Sequence, residues 1–213
     1  MSNPPDRRPK TPRSPPRSSP TPRGVSKLPS IPPDEVRVAD RYAHPRGLIR
    51  DVENFPQEGI SFKDITPLVT DPRAFHMVID GFAEYFIAEH IDAIAGVEAR
   101  GFIFGGALAA RLNASFVPLR KPGKLPGEID RVSYDLEYGS AALEIQSGSI
   151  QAGDKVVIID DVLATGGTAL AAAELIKRQG GYLTAFAFVV ELRALGGRAR
   201  LAPSDVVSLI GYD

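Results

Sequence analysis

The sequence has no cysteine, which excludes disulfide bonds, a thiol nucleophile and thiolate metal ligands, and which suits a reducing compartment. It has no apolar run of the roughly 18 residues that a membrane-spanning helix needs, and no apolar segment of the secretory kind near its first residues. It also has little net charge, −1 over 213 residues, which argues against a polyanionic partner. We therefore expect a cytoplasmic location and neither a membrane nor a nucleic acid as a partner.

The first 33 residues differ in composition from the rest of the chain. They hold 11 of the 19 prolines, and they carry seven Lys or Arg against one acid, Asp6. Such a segment buries too little surface to offset its ordering entropy, so residues 1–33 are predicted to form a disordered, Pro-rich basic tail. This tail is either a solvated extension or an arm for acidic or proline-reading partners. Because the tail carries +6, residues 34–213 carry −7, and they are predicted to form one globular domain.

The hydrophobic pattern beyond residue 34 alternates between short strands and helices. Asp71 followed by Pro72 is typical of a helix start, and two adjacent glycines at 180–181 are typical of a helix end. Strands are predicted at 91–97, 115–119, 155–160, 182–190 and 206–210, and helices at 72–90, 101–112 and 168–179. The alternation predicts an α/β fold with a central parallel sheet flanked by helices, and ligands at the carboxyl ends of its strands.

The segment VVIIDDVLATGGTA, residues 156–169, carries the strongest functional signal. A predicted strand ends in Asp160 and Asp161, and a loop then leads into a helix. The loop consists of Ala164, Thr165, Gly166, Gly167 and Thr168. Its backbone N–H groups and the helix start favour a phosphate, while the two carboxylates can accept hydrogen bonds from sugar hydroxyls or hold a water on a divalent cation. The pattern indicates a sugar phosphate, and the plain structural alternative is a solvated Asp pair beside a Gly-rich turn.

This segment resembles the phosphoribosyl-pyrophosphate (PRPP) motif of the type I phosphoribosyltransferases. The resemblance implies the fold of that family, with a small hood and a flexible lid loop added to the sheet. It also implies that residues 164–168 hold the 5-phosphate of PRPP, and that Asp160 and Asp161 hold the 2- and 3-hydroxyls of its ribose. In the hypoxanthine–guanine enzymes the position of Ala164 is usually an aspartate, so the sequence points away from that branch.

Three other stretches are similar to the adenine-specific branch of the family. They occur in chain order and read GISFKDITP at 59–67, GVEARGFIFG at 96–105 and KPGKLPGEIDRVSYDLEYG at 121–139. The resemblance implies that the chain joins adenine to PRPP and releases AMP and pyrophosphate. The alternatives are a related enzyme for xanthine, hypoxanthine or orotate, and a non-catalytic regulator that binds PRPP.

Basic residues in two of these stretches are candidates for binding pyrophosphate. Arg100 directly follows a predicted strand, where its guanidinium can bind pyrophosphate in a forked way or can instead pair with Glu98 or a surface acid. Arg120, Lys121 and Lys124 accompany two Pro-Gly steps, which predict either a mobile lid that closes over pyrophosphate or an ordinary basic hairpin loop. The resemblance favours the lid and implies that Arg100 and Lys121 stabilise the departing pyrophosphate.

Residues in the first and third of the three stretches are candidates for binding the base. The resemblance implies that Glu137 faces N7 of adenine and handles its proton, with Glu144 as the second choice for that role. Ser61, Phe62 and Lys63 map onto the segment that lines the purine, where Phe62 would stack on the base and the backbone of Ser61 and Lys63 would read its amino edge. Without the resemblance, Glu137 would be an exposed turn residue and Phe62 a core residue.

The resemblance also implies a cofactor and an assembly. Mg²⁺ is expected to arrive with PRPP and to reach Asp160 or Asp161 through water, because two adjacent carboxylates are too few for a dedicated protein site. A homodimer is expected, in which Arg120 reaches the neighbouring site.

Overall fold

The structure is a computed structural model that describes residues 41–135 and 140–213. The predictions for the tail, for the domain boundary at residue 34 and for Glu137 lie outside the described residues. The helices are α1 (Ala43–Gly47), α2 (Thr66–Thr70), α3 (Pro72–Phe86), α4 (Gly101–Leu112), α5 (Gly167–Arg178) and α6 (Gly197–Leu201). The strands are β1 (Arg50–Glu53), β2 (Ser61–Asp64), β3 (Ala93–Val97), β4 (Ser115–Leu119), β5 (Ile129–Asp135), β6 (Ser140–Gln146), β7 (Lys155–Leu163), β8 (Tyr182–Leu192) and β9 (Val206–Tyr212). No helix in the described part has the length and apolarity to cross a bilayer.

The predicted α/β fold is confirmed. Five parallel strands form the central sheet in the order β4-β3-β7-β8-β9, and α4 and α5 connect the pairs β3–β4 and β7–β8. The chain leaves β3 toward one edge of the sheet and leaves β7 toward the other. Because such connections are right-handed, α4 and α5 lie on opposite faces, and a crevice opens between the carboxyl ends of β3 and β7.

Burial of the central strand holds the sheet together. Residues 156–159 of β7 are completely buried, and all five residues of β3 are buried as well. Strands covered on both faces read as continuous apolar runs, which is the pattern that the sequence shows here. This rigid pair of strands carries the residues that end at the crevice.

Several predicted boundaries are wrong by a few residues. The Asp71 carboxylate caps α3 as expected, accepting a hydrogen bond from the Ala74 N–H at 2.7 Å, but α3 ends at Phe86 rather than near His90. Ile87 is 61% exposed, so the apolar face of the helix ends there, and His90 has a left-handed φ of 52° that no helix continues. The strand predicted from 91 consequently begins at Ala93.

The predicted end of β7 is also wrong, because it lies three residues too early. The strand was predicted to stop at Asp160, but it runs on to Leu163 because Val162 and Leu163 remain paired with β8. Asp160 and Asp161 therefore lie within the last four residues of the strand rather than after its end. The helix predicted at 168–179 is α5, shifted by one residue, while α4 and β4 have the predicted bounds.

Two antiparallel hairpins stand beside the sheet. The first pairs β1 with β2, and the second pairs β5 with β6 and continues through a bridge between Arg120 and Glu144. All four residues of β1 are exposed, so no alternation of apolar and polar residues marked it in the sequence.

Candidate active site

The crevice between β3 and β7 brings together Arg100 and the two acids of the predicted phosphate motif. Arg100 Nε lies 2.7 Å from Asp161 Oδ2, and the arginine side chain is 41% exposed whereas that of Asp161 is 5% exposed. Arg100 therefore pairs with Asp161 and not with Glu98, the partner named as the alternative to a ligand, and its binding of pyrophosphate stays a prediction. The Nε–H is not aligned with Oδ2, which is buried and has no hydrogen-bond donor among the described residues.

The predicted phosphate loop, residues 164–168, encloses a small hollow. The hollow has a volume of about 80 Å³ and is lined by all five loop residues, by Asp160 and by apolar residues of the strands beneath, such as Ile158 and Phe188. Gly166 has a φ of 81°, a left-handed conformation that lets the loop turn before α5 begins. The start of α5 then adds unpaired backbone N–H groups, so the hollow suits an anion of phosphate size.

The surroundings of Asp160 disfavour its ionised form. Burial raises the pKa of its carboxyl well above the usual value, and the neighbouring charge of Asp161 raises it further. The backbone N–H of Asp161 opposes these effects by donating to Asp160 Oδ1 at 2.8 Å. A ligand that donates hydroxyl hydrogen bonds here would stabilise the ionised form, which suits a ribose.

Gly101 makes this arrangement possible. A methyl group on Gly101 would lie 2.7 Å from the Ile159 carbonyl oxygen and 3.0 Å from Asp160 Oδ1. The first turn of α4 therefore packs directly on the end of β7, which is how Arg100 reaches Asp161. The Glu98–Ala99 peptide just before this turn is cis.

The segment predicted as a lid is docked on Glu98. The Glu98 side chain, 8% exposed, accepts from Lys124 Nζ at 2.6 Å and from the Lys121 N–H at 2.9 Å. Arg120 Nε lies 3.4 Å from the same carboxylate. The hydrogen bond from Lys124 lowers the pKa of Glu98 to about 2, and although burial opposes this, the bonds from Lys121 and Arg120 add to it. Sequence reasoning missed this role of Glu98, and the mobility of the lid stays a prediction.

A larger cleft continues from the hollow toward the lid. It has a volume of about 570 Å³, shares Asp160 and Thr168 with the hollow, and is lined also by Lys121 and Tyr134. Thr168 Oγ1 donates to the Tyr134 hydroxyl at 3.2 Å, which links the phosphate loop to the β5–β6 hairpin. No ion pair of the Lys121 ammonium is found in the described part of the chain. Asp160 and Thr168 therefore line both spaces, and of the predicted lid cations Lys121 lines the larger one.

Phe62 faces the crevice from the β1–β2 hairpin. The Arg100 guanidinium lies 4.9 Å from the centre of its ring, and Phe55 packs edge-on against it at 5.1 Å. Phe62 is half-buried rather than part of the core. The contact with Arg100 brings the predicted base segment next to the predicted pyrophosphate residue.

The neighbours of Phe62 have side chains that are already occupied. Lys63 Nζ pairs with Asp51 and lies 4.1 Å from the centre of the Tyr212 ring, while Ser61 Oγ donates to Glu53 Oε1 at 2.9 Å. Within residues 41–135 and 140–213, β2 pairs only with β1, so half of its backbone groups face away from the pair. These backbone groups could bind a ligand, and the reading of the base by this segment stays a prediction.

Glu144 is buried beneath the lid. Its Oε2 accepts from the Gly123 N–H at 2.9 Å, and its Oε1 lies 3.9 Å from Arg131. These contacts give Glu144 a structural use in holding the lid. The choice between Glu137 and Glu144 as the proton handler stays a prediction, since Glu137 lies outside the described residues.

Comparisons with known proteins agree on one family. A family model described as phosphoribosyl transferase domain matches residues 69–207. An adenine phosphoribosyltransferase of Sorangium cellulosum is 65% identical over 154 residues, which cover 72% of this chain and 77% of that protein. One of Koribacter versatilis is 51% identical over 168 residues, covering 79% of this chain and 92% of the relative.

Solved structures give the same result. The adenine phosphoribosyltransferase of Thermoanaerobacter pseudethanolicus superposes with a TM-score of 0.78 at 46% identity, covering 80% of this chain and 99% of that one. The enzyme of Saccharomyces cerevisiae, solved with an imino-altritol bisphosphate and adenine, superposes with a TM-score of 0.76 at 42% identity, again covering 80% and 99%.

Proposed function

The chain belongs to the adenine phosphoribosyltransferases within the phosphoribosyl transferase family, and from this membership we propose that it transfers the 5-phosphoribosyl group of PRPP to adenine. The bond between C1 of the ribose and the pyrophosphate oxygen breaks, and its electron pair leaves with the oxygen. A bond between C1 and N9 of adenine forms. The products are AMP and pyrophosphate, so the reaction is a pentosyl transfer of purine salvage.

One observation carries this proposal: three kinds of binding group meet at the crevice between β3 and β7. The hollow at the loop and the start of α5 suits a phosphate, Asp160 on its wall suits the hydroxyls of a ribose, and Arg100 suits a pyrophosphate. PRPP carries a 5-phosphate, two hydroxyls and a pyrophosphate in that order along its sugar.

We assign the stabilisation of the leaving pyrophosphate to Arg100 and Lys121. Negative charge grows on the pyrophosphate as its bond to C1 breaks, and positioned cations stabilise that charge. Arg100 contacts Asp161 through Nε, and its side chain is 41% exposed, so its two terminal nitrogens can bind a pyrophosphate while Nε stays at Asp161. The lid, with Lys124 and Arg120, would exclude water, which would otherwise trap the ribosyl cation-like transition state.

We assign the recognition of adenine to the β1–β2 hairpin and to Glu137. Adenine that carries its proton on N7 attacks through the lone pair of N9, and the N7 proton passes to the Glu137 carboxylate. Phe62 supplies an aromatic ring at the edge of the crevice, and the unpaired edge of β2 supplies backbone groups. The assignment of Glu137 rests on the resemblance alone.

We also propose that Mg²⁺ takes part and that it enters with PRPP. No group of three or more His, Asp or Glu that could hold a metal occurs within residues 41–135 and 140–213. Asp160 and Asp161 offer two carboxylates, and Asp161 Oδ2 lacks an aligned donor, which fits an ion held on the substrate and contacted through water. When bound, the ion would neutralise charge on the pyrophosphate.

A homodimer and a cytoplasmic location complete the proposal. The resemblance supports the homodimer, and the absence of cysteine suits the cytoplasm. Light scattering after size exclusion should give twice the chain mass of 22.9 kDa. A mass of a single chain would contradict the homodimer.

A panel of bases tests the proposed activity. The purified full chain is mixed with PRPP, Mg²⁺ and one base, pyrophosphate release is followed, and the nucleotide is identified by mass. Adenine should react and give AMP, while xanthine, hypoxanthine and orotate should react far more slowly. The adenine enzymes among the relatives disfavour the alternatives. Faster reaction with another base would support a sibling enzyme, and binding of PRPP with no release for any base would support a regulator.

A further inference from the structure

A closed cluster of polar side chains lies next to the phosphate loop but does not line its hollow. Arg198, in α6, binds both carboxylate oxygens of Glu191, at the end of β8: Nε donates to Oε1 at 2.8 Å and Nη2 donates to Oε2 at 2.5 Å. The same guanidinium donates to Ser208 Oγ and to the Val206 carbonyl oxygen, both at 2.8 Å. Glu191 is 5% exposed, so the cluster joins α6 firmly to β8 and β9.

The residue before Arg198 lies directly against the phosphate loop. A methyl group on Gly197 would lie 2.2 Å from the Ala164 carbonyl oxygen and 2.8 Å from a methyl carbon of Leu163. A methyl group on Gly166 would lie 3.2 Å from the Gly197 carbonyl oxygen. The backbone of α6 therefore touches the loop at its first and third residues, and the loop cannot change shape unless α6 moves.

The position of α6 depends on contacts with the sheet. The helix has five residues and no side-chain cap at its start, and a helix of this length has little stability of its own. Glu191 is the direct strand partner of Leu163, the residue that precedes the loop. The pair of Arg198 with Glu191 thus ties α6 to the strand position beside the start of the loop.

The charges of this pair are compensated. Burial would raise the pKa of Glu191, but hydrogen bonds from Arg198 and Ser208 more than offset this and leave the pKa below its usual value. Loss of Arg198 would leave a buried carboxylate whose remaining side-chain donor, among the residues that the structure describes, is the Ser208 hydroxyl. A buried carboxylate without its cation is strongly destabilising unless water or another donor reaches it. We therefore expect α6 to shift when Arg198 is lost.

We propose that Arg198 is a positioning residue for phosphate binding. Through Glu191 it holds Gly197 against the Ala164 carbonyl, and this contact sets the shape of the loop that binds the 5-phosphate. The inference rests on the proposed function, in which that loop receives PRPP. It adds a residue that lies outside the hollow and touches no substrate, yet controls affinity for the phosphate end.

The test compares binding at the two ends of the site. Arg198→Met, Arg198→Lys and Gly197→Ala are made in the full chain, and titration calorimetry with ribose 5-phosphate measures the phosphate end alone. Arg198→Met should raise the Kd for ribose 5-phosphate and the KM for PRPP about tenfold or more, because small displacements of binding groups are costly. The KM for adenine should not change. Arg198→Lys, which keeps the charge but not the fork, should recover part of the affinity.

Phe82→Leu serves as the matched control for a general loss of stability. Phe82 is completely buried in α3 and does not belong to the buried cluster that contains Leu163 and Leu201, so its replacement should lower Tm without moving the loop. Its Kd for ribose 5-phosphate should equal that of the unaltered chain. An equal rise of Kd in Phe82→Leu and Arg198→Met at similar Tm would overturn the proposal.

The remaining outcomes separate this proposal from the proposed function. If Arg198→Met fails to fold, Arg198→Lys and Gly197→Ala carry the test, and unchanged Kd in these variants would overturn the positioning role. If the unaltered chain binds ribose 5-phosphate and Arg198→Met binds it equally well, only the positioning role is contradicted. If the unaltered chain binds no ribose 5-phosphate, the proposed function itself is contradicted, and the positioning role falls with it.

Discussion

The phosphate end and the base end of the candidate site are built in different ways. At the phosphate end, the loop grows out of a completely buried strand, and the approach of Gly101 and Gly197 leaves no room for a methyl group. At the base end, the β1–β2 hairpin is mostly exposed and is held by charged and aromatic side chains such as Lys63 on Tyr212. Close packing therefore fixes the phosphate end, whereas individually weak contacts hold the base end. Substitutions should therefore reduce stability and activity far more at the phosphate end than at the base end.

The largest effect is expected for Arg100→Ala. Arg100 stands between the two ends, on Asp161 and on the Phe62 ring. Loss of one positioned cation typically costs roughly 3 kcal/mol of barrier, so kcat/KM should fall about a hundredfold while the fold is retained. The matched control is Arg111→Ala, which removes a similarly exposed arginine that also pairs with an aspartate through Nε but lies at the far end of α4. Equal activity of the two variants would contradict the assignment of Arg100.

Gly101→Ala should have the next largest effect. The added methyl group would press on the Ile159 carbonyl and the Asp160 carboxylate, and overpacking of this kind typically costs about 1–3 kcal/mol. Both Tm and turnover should fall. Around Gly106, in the middle of the same helix, no described atom outside the helix's own backbone lies within 4 Å of such a methyl group, so Gly106→Ala should instead gain up to about 1 kcal/mol. If Gly101→Ala behaves like Gly106→Ala, the close approach of α4 to β7 is wrong.

Asp160→Asn should separate stability from activity. Because Asp160 binds its proton more tightly in the folded chain than in the unfolded chain, the free energy of unfolding should fall as pH rises from the ordinary value near 3.8 through the raised pKa. The variant should therefore have a higher Tm than the unaltered chain at pH 8, by about 2–4 °C for each kcal/mol gained, although its turnover is lost. The gain should shrink as pH is lowered toward 4.

A melting series from pH 4 to pH 8 measures this difference. Asp205→Asn, at an exposed acid of the loop before β9, is the control and should not show the pH-dependent gain. If the Tm of Asp160→Asn lies below that of the unaltered chain throughout the series, the raised pKa of Asp160 is contradicted.

The smallest effect is expected at the base end, for Tyr212→Leu. Its ring carries Lys63 Nζ at 4.1 Å and the Arg46 guanidinium at 4.7 Å, and such contacts are worth about 0.5–1 kcal/mol each. The KM for adenine should rise about two- to fivefold, and the KM for PRPP should not change. Tyr182→Leu, at an exposed tyrosine at the other end of the sheet, should change neither. An equal rise in both KM values would show that the hairpin also shapes the phosphate end.

The same contrast explains what could be predicted from the sequence. The β7 strand could be predicted because it is a continuous apolar run. Its paired acids and its loop follow directly in the sequence, so the motif could be predicted as well. The extension of β7 to Leu163 was not, because it depends on pairing with β8. The docking of Lys124 on Glu98 joins residues 26 positions apart and has no local signal.

Contacts between distant segments of the chain could not be predicted from the sequence either. Gly197 looks like any glycine at the start of a short helix, and only the fold places it on the Ala164 carbonyl. For Arg100 the sequence suggested Glu98 or a surface acid as the alternative to a pyrophosphate, whereas the packing of α4 on β7 directs it to the buried Asp161. In each case the deciding contact comes from another part of the chain.

The most direct test of the central claim is calorimetric titration of PRPP with Mg²⁺ into the Asp160→Asn, Asp161→Asn double variant. Circular dichroism and Tm first establish that the variant is folded. If the two carboxylates hold the ribose hydroxyls, the folded variant should bind PRPP at least about a hundredfold more weakly than the unaltered chain, since two buried sets of hydrogen bonds to charged groups are lost. Binding of PRPP with unchanged affinity would contradict the account.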